Sequence, residues 1–379
     1  MNTTTPKPFL YEPNVQNKDL LDTLSTWYGH IHGYVSLVIC VFGVSLNIFN
    51  VIVLTRKKLK TPINFILTSL AVSDMATMIS YIPFAFHFYC HFSANSISAG
   101  KNSQGWMNFL LVYLNFSATT HTISIWLAVA LAIFRHHHVH SPAKGNLTRT
   151  RRIIRARIVV FIIFIASVIT MVPYYACHNL TEVRFHENKT GFVFEPWHLG
   201  TGHEKLVIFV SLILYSCLAK LVPCVLIIIY GTLLLITLNN TRMKSRIRRS
   251  ENGILTDHPP QRVIDMSRTT IMLLVVIVLF LFSELPQGVL IMCCLFQENF
   301  FETVYIPLGD VMDIIALINS SINFVLYCTM SQEFRHTFTR LFCNSWQFKR
   351  HQRPVLVPQE LTQRQRYVIS EREPTVTDL

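Results

Sequence analysis

Charge is what this sequence has least of. Only 14% of its 379 residues are Asp, Glu, Lys or Arg, against about 25% in soluble domains. That shortage argues against one or more water-soluble domains of ordinary type. The nine cysteines contain no CxxC pair and no metal-ligand rhythm. A structural zinc site is therefore not expected, and a small buried thiol is the simpler reading of the several cysteines that lie in apolar segments. No basic n-region followed by a short apolar h-region opens the chain. No cleavable signal peptide is expected, and the first apolar segment should itself act as the targeting signal. No nucleophile–base set converges, so an enzyme is not expected. An adhesion or binding protein would need a sizeable outer domain, which about 32 N-terminal residues cannot build.

What the chain has instead is apolar residues, 51% of the total, gathered in long blocks. Seven of these, at 33–55, 63–90, 107–134, 153–176, 206–237, 269–294 and 304–328, reach the ~20 residues that cross the hydrocarbon core of a bilayer. The net charge of +12 does not point to nucleic acid, because the basic residues track the ends of the apolar blocks. The segments 56–62, 135–157, 238–268 and 329–379 hold 26 of the 33 Lys and Arg. The positive-inside rule then places the N-terminus outside and the tail in the cytoplasm. The expected fold is an all-α membrane protein, a seven-transmembrane-helix bundle with a short amphipathic eighth helix. The expected division is an extracellular segment at 1–32, the bundle at 33–328 and a cytoplasmic helix and tail at 329–379.

Smaller features fit that orientation. Sequons at Asn2, Asn179 and Asn188 fall on the outer side, as candidate glycosylation sites. The stretch 181–195 reads as a β-hairpin around a turn-rich centre. After the seventh span, Phe334, Phe338, Leu341 and Phe342 alternate with Arg335 and Arg340, a spacing that suits a helix on the inner leaflet. Cys343 at its end is a candidate for palmitoylation.

Polar residues inside a bilayer are costly and are functional candidates by default. Asp74 lies mid-span, with Asn47, Ser124, Asn319, Ser320 and Asn323 at similar depth. Carboxylate, hydroxyl and amide oxygens together suit a small hard cation such as sodium, and they equally suit an ion-free hydrogen-bonded network. Glu284, two residues before Pro286, has Lys220 as a possible partner; the pair reads either as a structural ion pair or as a ligand-facing one. Asp310 and Asp313 stand near the outer mouth with Glu298 and Glu302, an acidic rim that would attract a cationic ligand or be an ordinary solvated face.

These residues resemble those of the rhodopsin-like G-protein-coupled receptors across the whole seven-span region. Gly43 to Asn47 is similar to the first-helix asparagine motif, and Leu70-Ala71-Val72-Ser73-Asp74 to the second-helix motif. Pro223 and Pro286 stand where the fifth and sixth helices carry prolines, and Asn323-Phe324-Val325-Leu326-Tyr327 corresponds to NPxxY. Trp27-Tyr28-Gly29-His30, Tyr81-Ile82-Pro83-Phe84 through Cys90, Thr119-Thr120-His121 through Leu127, and Glu284-Leu285-Pro286-Gln287-Gly288 resemble the myosuppressin and FMRFamide-like peptide receptors of arthropods and nematodes.

The resemblance implies a plasma-membrane receptor whose ligand is a short amidated neuropeptide with an Arg-Phe-amide end. The peptide arginine would meet Asp313, Glu284 or Asp310, with Lys220 nearby, and its phenylalanine an aromatic shelf of Phe84, His121 and Phe280. Arg135, Tyr327 and the basic run containing Arg242 and Arg246 would face a heterotrimeric G protein, a run that also suits anionic membrane lipids. No cofactor is implied beyond an allosteric sodium ion at Asp74. Arrestin is an expected partner through phosphorylated tail residues, and PDZ-domain proteins through Thr377-Asp378-Leu379.

The departures from the family are as specific as the matches. Phe134 replaces the acid before the third-helix arginine, Glu284 the sixth-helix tryptophan and Phe324 the seventh-helix proline. The cysteine usual at the top of the third helix is missing near Leu110, which leaves Cys90 and Cys177 as the outer thiols to form a substitute disulfide. Two other readings stay open: a related receptor for a different small ligand, and a seven-span ion-coupled transporter. The transporter reading lacks the internal repeats such proteins show.

Overall fold

The computed structural model describes residues 20–94, 96–140, 146–184, 190–194, 203–251, 261–297 and 300–343. Seven helices within them are long and apolar enough to cross a membrane. In chain order these spans are Leu20–Leu54, Pro62–His91, Gln104–His140, Leu147–Tyr175, Lys205–Thr241, Val275–Cys293 and Thr303–Thr329. The chain divides into two compact units, Met1–Phe334 and Arg335–Leu379, and the first holds the whole bundle. A short helix follows the seventh span at Gln332–Phe338 and continues as a π-helical turn at Thr339–Cys343. Within the second unit the Phe338 and Phe342 rings pack 5.0 Å apart.

The second span starts where its local chemistry directs. Thr61 has extended backbone and its side chain accepts from Asn64 N at 3.1 Å, while Pro62 at the first helical position gives up only an N–H with no partner in the helix. Asn64 Nδ2 also donates to Leu59 O at 2.7 Å, tying the basic turn to the helix. Pro83, Pro173 and Pro286 lie inside helices, as membrane helices allow.

The first helix begins at Leu20 rather than near 33. Leu20, Leu24, Trp27 and Ile31 continue its apolar stripe at helical spacing, and all four are exposed. Asp22, Thr23, Ser25 and Thr26 dilute the local hydropathy, which is why the early turns do not read as a span. Helix also runs on at the opposite end beyond the expected bounds, to His140 in the third span and to Glu251 after the fifth.

The expected hairpin forms. Strand β1, Leu180–Arg184, pairs antiparallel with β2, Thr190–Phe194, with Val183 opposite Gly191. It sits over the third span's first turns: Phe192 N donates to Asn102 O at 2.8 Å, and Asn102 Nδ2 donates to Phe192 O at 3.1 Å.

The fifth span is not one uniform helix. A π-helical turn at Tyr215–Leu221 precedes Pro223. Proline offers no N–H and its ring crowds the carbonyl four residues back, and a widened turn relieves both. Val222 N consequently donates to Cys217 O, five residues back. Leu218 O, left over by that shift, accepts from Trp126 Nε1 of the third span at 3.1 Å. The π turn thus docks the third span on the fifth.

Candidate functional site

Two polar clusters occupy the half of the bundle that carries the hairpin. The first lies among the third, fifth and sixth spans. Lys220, in the π turn, is fully buried, and Glu284 is 1% exposed. Lys220 Nζ donates to Glu284 Oε2 at 2.6 Å and to Gln287 Oε1 at 2.8 Å. His121 Nε2 lies 3.2 Å from the same Glu284 oxygen. Ser283 Oγ has both Phe280 O at 3.0 Å and Glu284 Oε1 at 3.2 Å as acceptors for its one proton, and Asn319 Nδ2 of the seventh span donates to Ser283 Oγ at 3.2 Å. Gly288 makes room for this: a Cβ there would lie 2.9 Å from Lys220 Cβ. Ser216 Oγ donates to Gly288 O at 3.0 Å, closing the same contact.

The second cluster lies among the first, second and seventh spans. Tyr89 hydroxyl donates to Asp310 Oδ1 at 2.6 Å, and Tyr81 hydroxyl donates to Asp313 Oδ2 at 3.3 Å. His32, fully buried, has Nε2 2.8 Å from the Tyr81 oxygen and 4.0 Å from Asp310 Oδ1. Its Nδ1 is buried without a hydrogen-bond partner. No Lys or Arg forms an ion pair with Asp310 or Asp313 among the described residues. Phe84 stacks on Tyr113 at 4.5 Å with the ring planes 14° apart, and packs edge-on to Tyr81. The acids therefore stand beside an aromatic wall.

The expected single aromatic shelf does not assemble. Phe84 belongs to the second cluster, whereas Phe280 is buried with Ile125, Val129, Cys224 and Ile227 one turn below Glu284. His121 is taken by Glu284. Cys90 and Cys177 are likewise not brought together, and both are free thiols. Cys90 sits at the end of the second span against Gly33 of the first. Cys177 follows the fourth span, where its Sγ donates to Pro173 O at 3.2 Å and lies 3.8 Å from Val207 O of the fifth. Asn102, not a disulfide, ties the hairpin to the third span's end.

Below these clusters lies Asp74, 3% exposed. Asn323 Nδ2 donates to its Oδ2 at 3.2 Å, and Ser124 and Ser320 stand beside the carboxylate. Asn47 Nδ2 donates to Gly43 O at 3.0 Å and to Ser320 O at 3.2 Å. The Asp74 carboxylate with the Ser124 and Ser320 hydroxyls beside it is a hard oxygen donor set, which fits a small cation. Asn319, expected in this group, is turned toward Ser283 instead.

One cavity runs from the Glu284 cluster past Asp74. It is lined by Glu284 and His121 at one end, by Asp74 and Asn323 midway, and by Arg135 and Tyr327 at the other. No carboxylate pairs with Arg135 among the described residues. Phe324, in the proline's place, packs its ring 5.9 Å from both Phe49 and Phe334.

Outside the spans, Lys101 is nearly buried and its Nζ donates to Ser93 O and Ala94 O, each at 2.7 Å. Burial holds its ammonium pKa down, to about 8. Beside it His87 stacks on Trp106 at 3.7 Å. Asn179 is exposed just before β1. Asn2, Asn188 and the tail beyond 343 lie outside the described residues, as do the side chains of Arg242, Arg246 and Cys343.

Reading the residues alone missed His32, Tyr81, Tyr89 and Gln287. Gln287 carried a signal, since it follows Glu284 by three residues and so shares its helix face. The tyrosines carried none, because a tyrosine in an apolar block is most simply core.

Residues 34–345 match the family described as "Serpentine type 7TM GPCR chemoreceptor Srw". The chain is 28% identical over 374 residues to "G-protein coupled receptor dmsr-1" of Caenorhabditis elegans, covering 89% of this chain and 71% of that protein. It is 25% identical over 330 residues to the sex peptide receptor of Drosophila melanogaster, covering 82% and 72%. It is 22% identical over 351 residues to the Drosophila melanogaster FMRFamide receptor, covering 88% of this chain and 56% of that one. Squid rhodopsin has a similar fold, with a TM-score of 0.60 at 14% identity over 89% of this chain and 91% of that one. Together with the seven spans and the polar column from Glu284 to Arg135, these likenesses make the chain a multi-pass membrane receptor rather than an enzyme, and it belongs to the Srw family of serpentine G-protein-coupled receptors.

Proposed function

We propose that this receptor answers a short amidated peptide carrying a cationic residue, of the Arg-Phe-amide kind, at the plasma membrane with its N-terminus outside. The observation that carries the reading is the pair Asp310 and Asp313, two acids beside an aromatic wall with no Lys or Arg bridged to them among the described residues. A peptide guanidinium would complete that charge, and a peptide phenylalanine would extend the stack of Phe84 on Tyr113. Glu284 drops out as the first contact, because Lys220 already neutralises it. A charge-assisted hydrogen bond of this kind contributes about 1.5–3 kcal/mol. The named relatives in worm and fly, one of them a sex peptide receptor and one an FMRFamide receptor, support the ligand class.

Binding signals only by favouring one arrangement of the spans over another. Arg135 and Tyr327 line the cavity at the end where a heterotrimeric G protein would dock, and the basic run containing Arg242 and Arg246 would serve the same partner and anionic lipid. Sodium at Asp74, taken up with Ser124 Oγ, would supply a positive charge that stabilises the resting packing of the second, third and seventh spans. Arrestin and PDZ-domain partners, glycosylation at Asn2, Asn179 and Asn188, and an acyl chain on Cys343 complete the proposal.

The test is a calcium or cAMP assay on cells with the receptor confirmed at the surface. Amidated Arg-Phe and myosuppressin-like peptides should elicit a response that the free-acid forms do not. Silence toward every amidated peptide would sink the assignment.

A further inference from the structure

The ion pair between Lys220 and Glu284 is not needed for the ligand reading, yet it is the most fully buried charge arrangement described in the molecule. One carboxylate gathers three spans. Its Oε2 meets Lys220 of the fifth and His121 of the third, and its Oε1 lies 3.2 Å from Ser283 Oγ, which in turn holds Asn319 of the seventh. The surrounding backbone is shaped for this contact. The π turn carries Lys220, Gly288 lets the two helices close on it, and Ser216 bonds across to Gly288 O. At the opposite end of the cavity Arg135 has no acid to hold it among the described residues, and the residue before it is Phe134.

We infer that Lys220 and His121 are positioning residues that hold Glu284, and through it the sixth span, in the resting arrangement, so that the receptor's restraint is an ion pair in the middle of its spans. The physical reason is the medium. Moving the sixth span away from the third and fifth separates two charges in a low-dielectric interior, where their attraction is far stronger than in bulk water, so the motion is opposed until both charges find new partners. Glu284 also lines the end of the cavity that leads past Asp74 to Arg135. Displacing it alters the wall on which Arg135 and Tyr327 stand. The restraint does not depend on which ligand the receptor takes, so it stands or falls apart from the peptide assignment.

The experiment is ligand-free signalling by the full-length receptor in cells, divided by the amount at the surface. The double variant Lys220→Met with Glu284→Gln removes both charges and leaves none buried and unpaired. It should raise ligand-free signalling about fivefold or more, the effect of shifting a minor state to a substantial one. The exchanged pair, Lys220→Glu with Glu284→Lys, should return it toward the parental level, which a merely space-filling role would not do. Parental signalling from the neutral double variant, or an exchanged pair that signals like it, overturns the inference. If the double variant does not reach the surface, His121→Phe decides, since it keeps the pair and removes only the third contact. A rise of about twofold upholds the restraint and an unchanged level overturns it.

Discussion

Glu284 and the pair Asp310–Asp313 are acids in the same half of the bundle, and they are held in opposite ways. Glu284 has a lysine at 2.6 Å and a histidine at 3.2 Å from neighbouring spans, and a serine hydroxyl of its own span 3.2 Å from its other oxygen. Asp310 and Asp313 have tyrosine hydroxyls and a histidine near 4 Å, with no lysine or arginine bridged to them among the described residues. Tyrosine hydroxyls supply hydrogen bonds but no charge. The balanced acid is complete as it stands and can only lose partners when the spans move. The unbalanced pair gains when a cation arrives. One arrangement is suited to holding a conformation, the other to recognising a ligand.

The contrast is sharpest in single substitutions. Lys220→Met leaves Glu284 buried without its cation and should cost about 3–5 kcal/mol of receptor stability. Thermal unfolding of the purified receptor in detergent would read this, and Asp310→Asn measured beside it should change stability by less than about 1 kcal/mol. Equal losses at the two sites would erase the distinction. A smaller effect tests the packing beneath the ion pair. Gly288→Ala places a methyl 2.9 Å from Lys220 Cβ, and the overpacking should cost about 1–3 kcal/mol while leaving both charges in place. A neutral Gly288→Ala would mean that the fifth and sixth spans have slack where the inference needs them closed.

The seven spans and the hairpin were legible because each rests on a one-dimensional signal: apolar length for the spans, alternation around a turn for β1 and β2. The facing of side chains was not. Asn319 was expected with Asp74 and instead bonds Ser283, a matter of helix rotation that sequence spacing leaves open. The π turn at Tyr215–Leu221 inserts an extra residue per turn and rotates everything around it, and only Pro223 hints at its presence. Phe84 and Phe280 looked like one shelf because both are aromatic and span-borne, yet they face different neighbours about one cluster apart. The substitute disulfide of Cys90 with Cys177 is an expectation from the family resemblance alone, and the first and fifth spans hold the two thiols separately. The first helix's early turns escaped notice because threonine, serine and aspartate mask an apolar stripe that only a helix reveals.

The claim that the unbalanced acids receive the ligand's cation is tested most directly by a double-mutant cycle. The receptor is taken as parental and as Asp310→Asn with Asp313→Asn, and an active amidated peptide is used with its arginine and with citrulline, its neutral isostere. The predicted coupling between the acids and the arginine is at least about 1.5 kcal/mol, so that the citrulline peptide hardly distinguishes the two receptors. Additive losses, with coupling near zero, would place the arginine elsewhere and contradict the account.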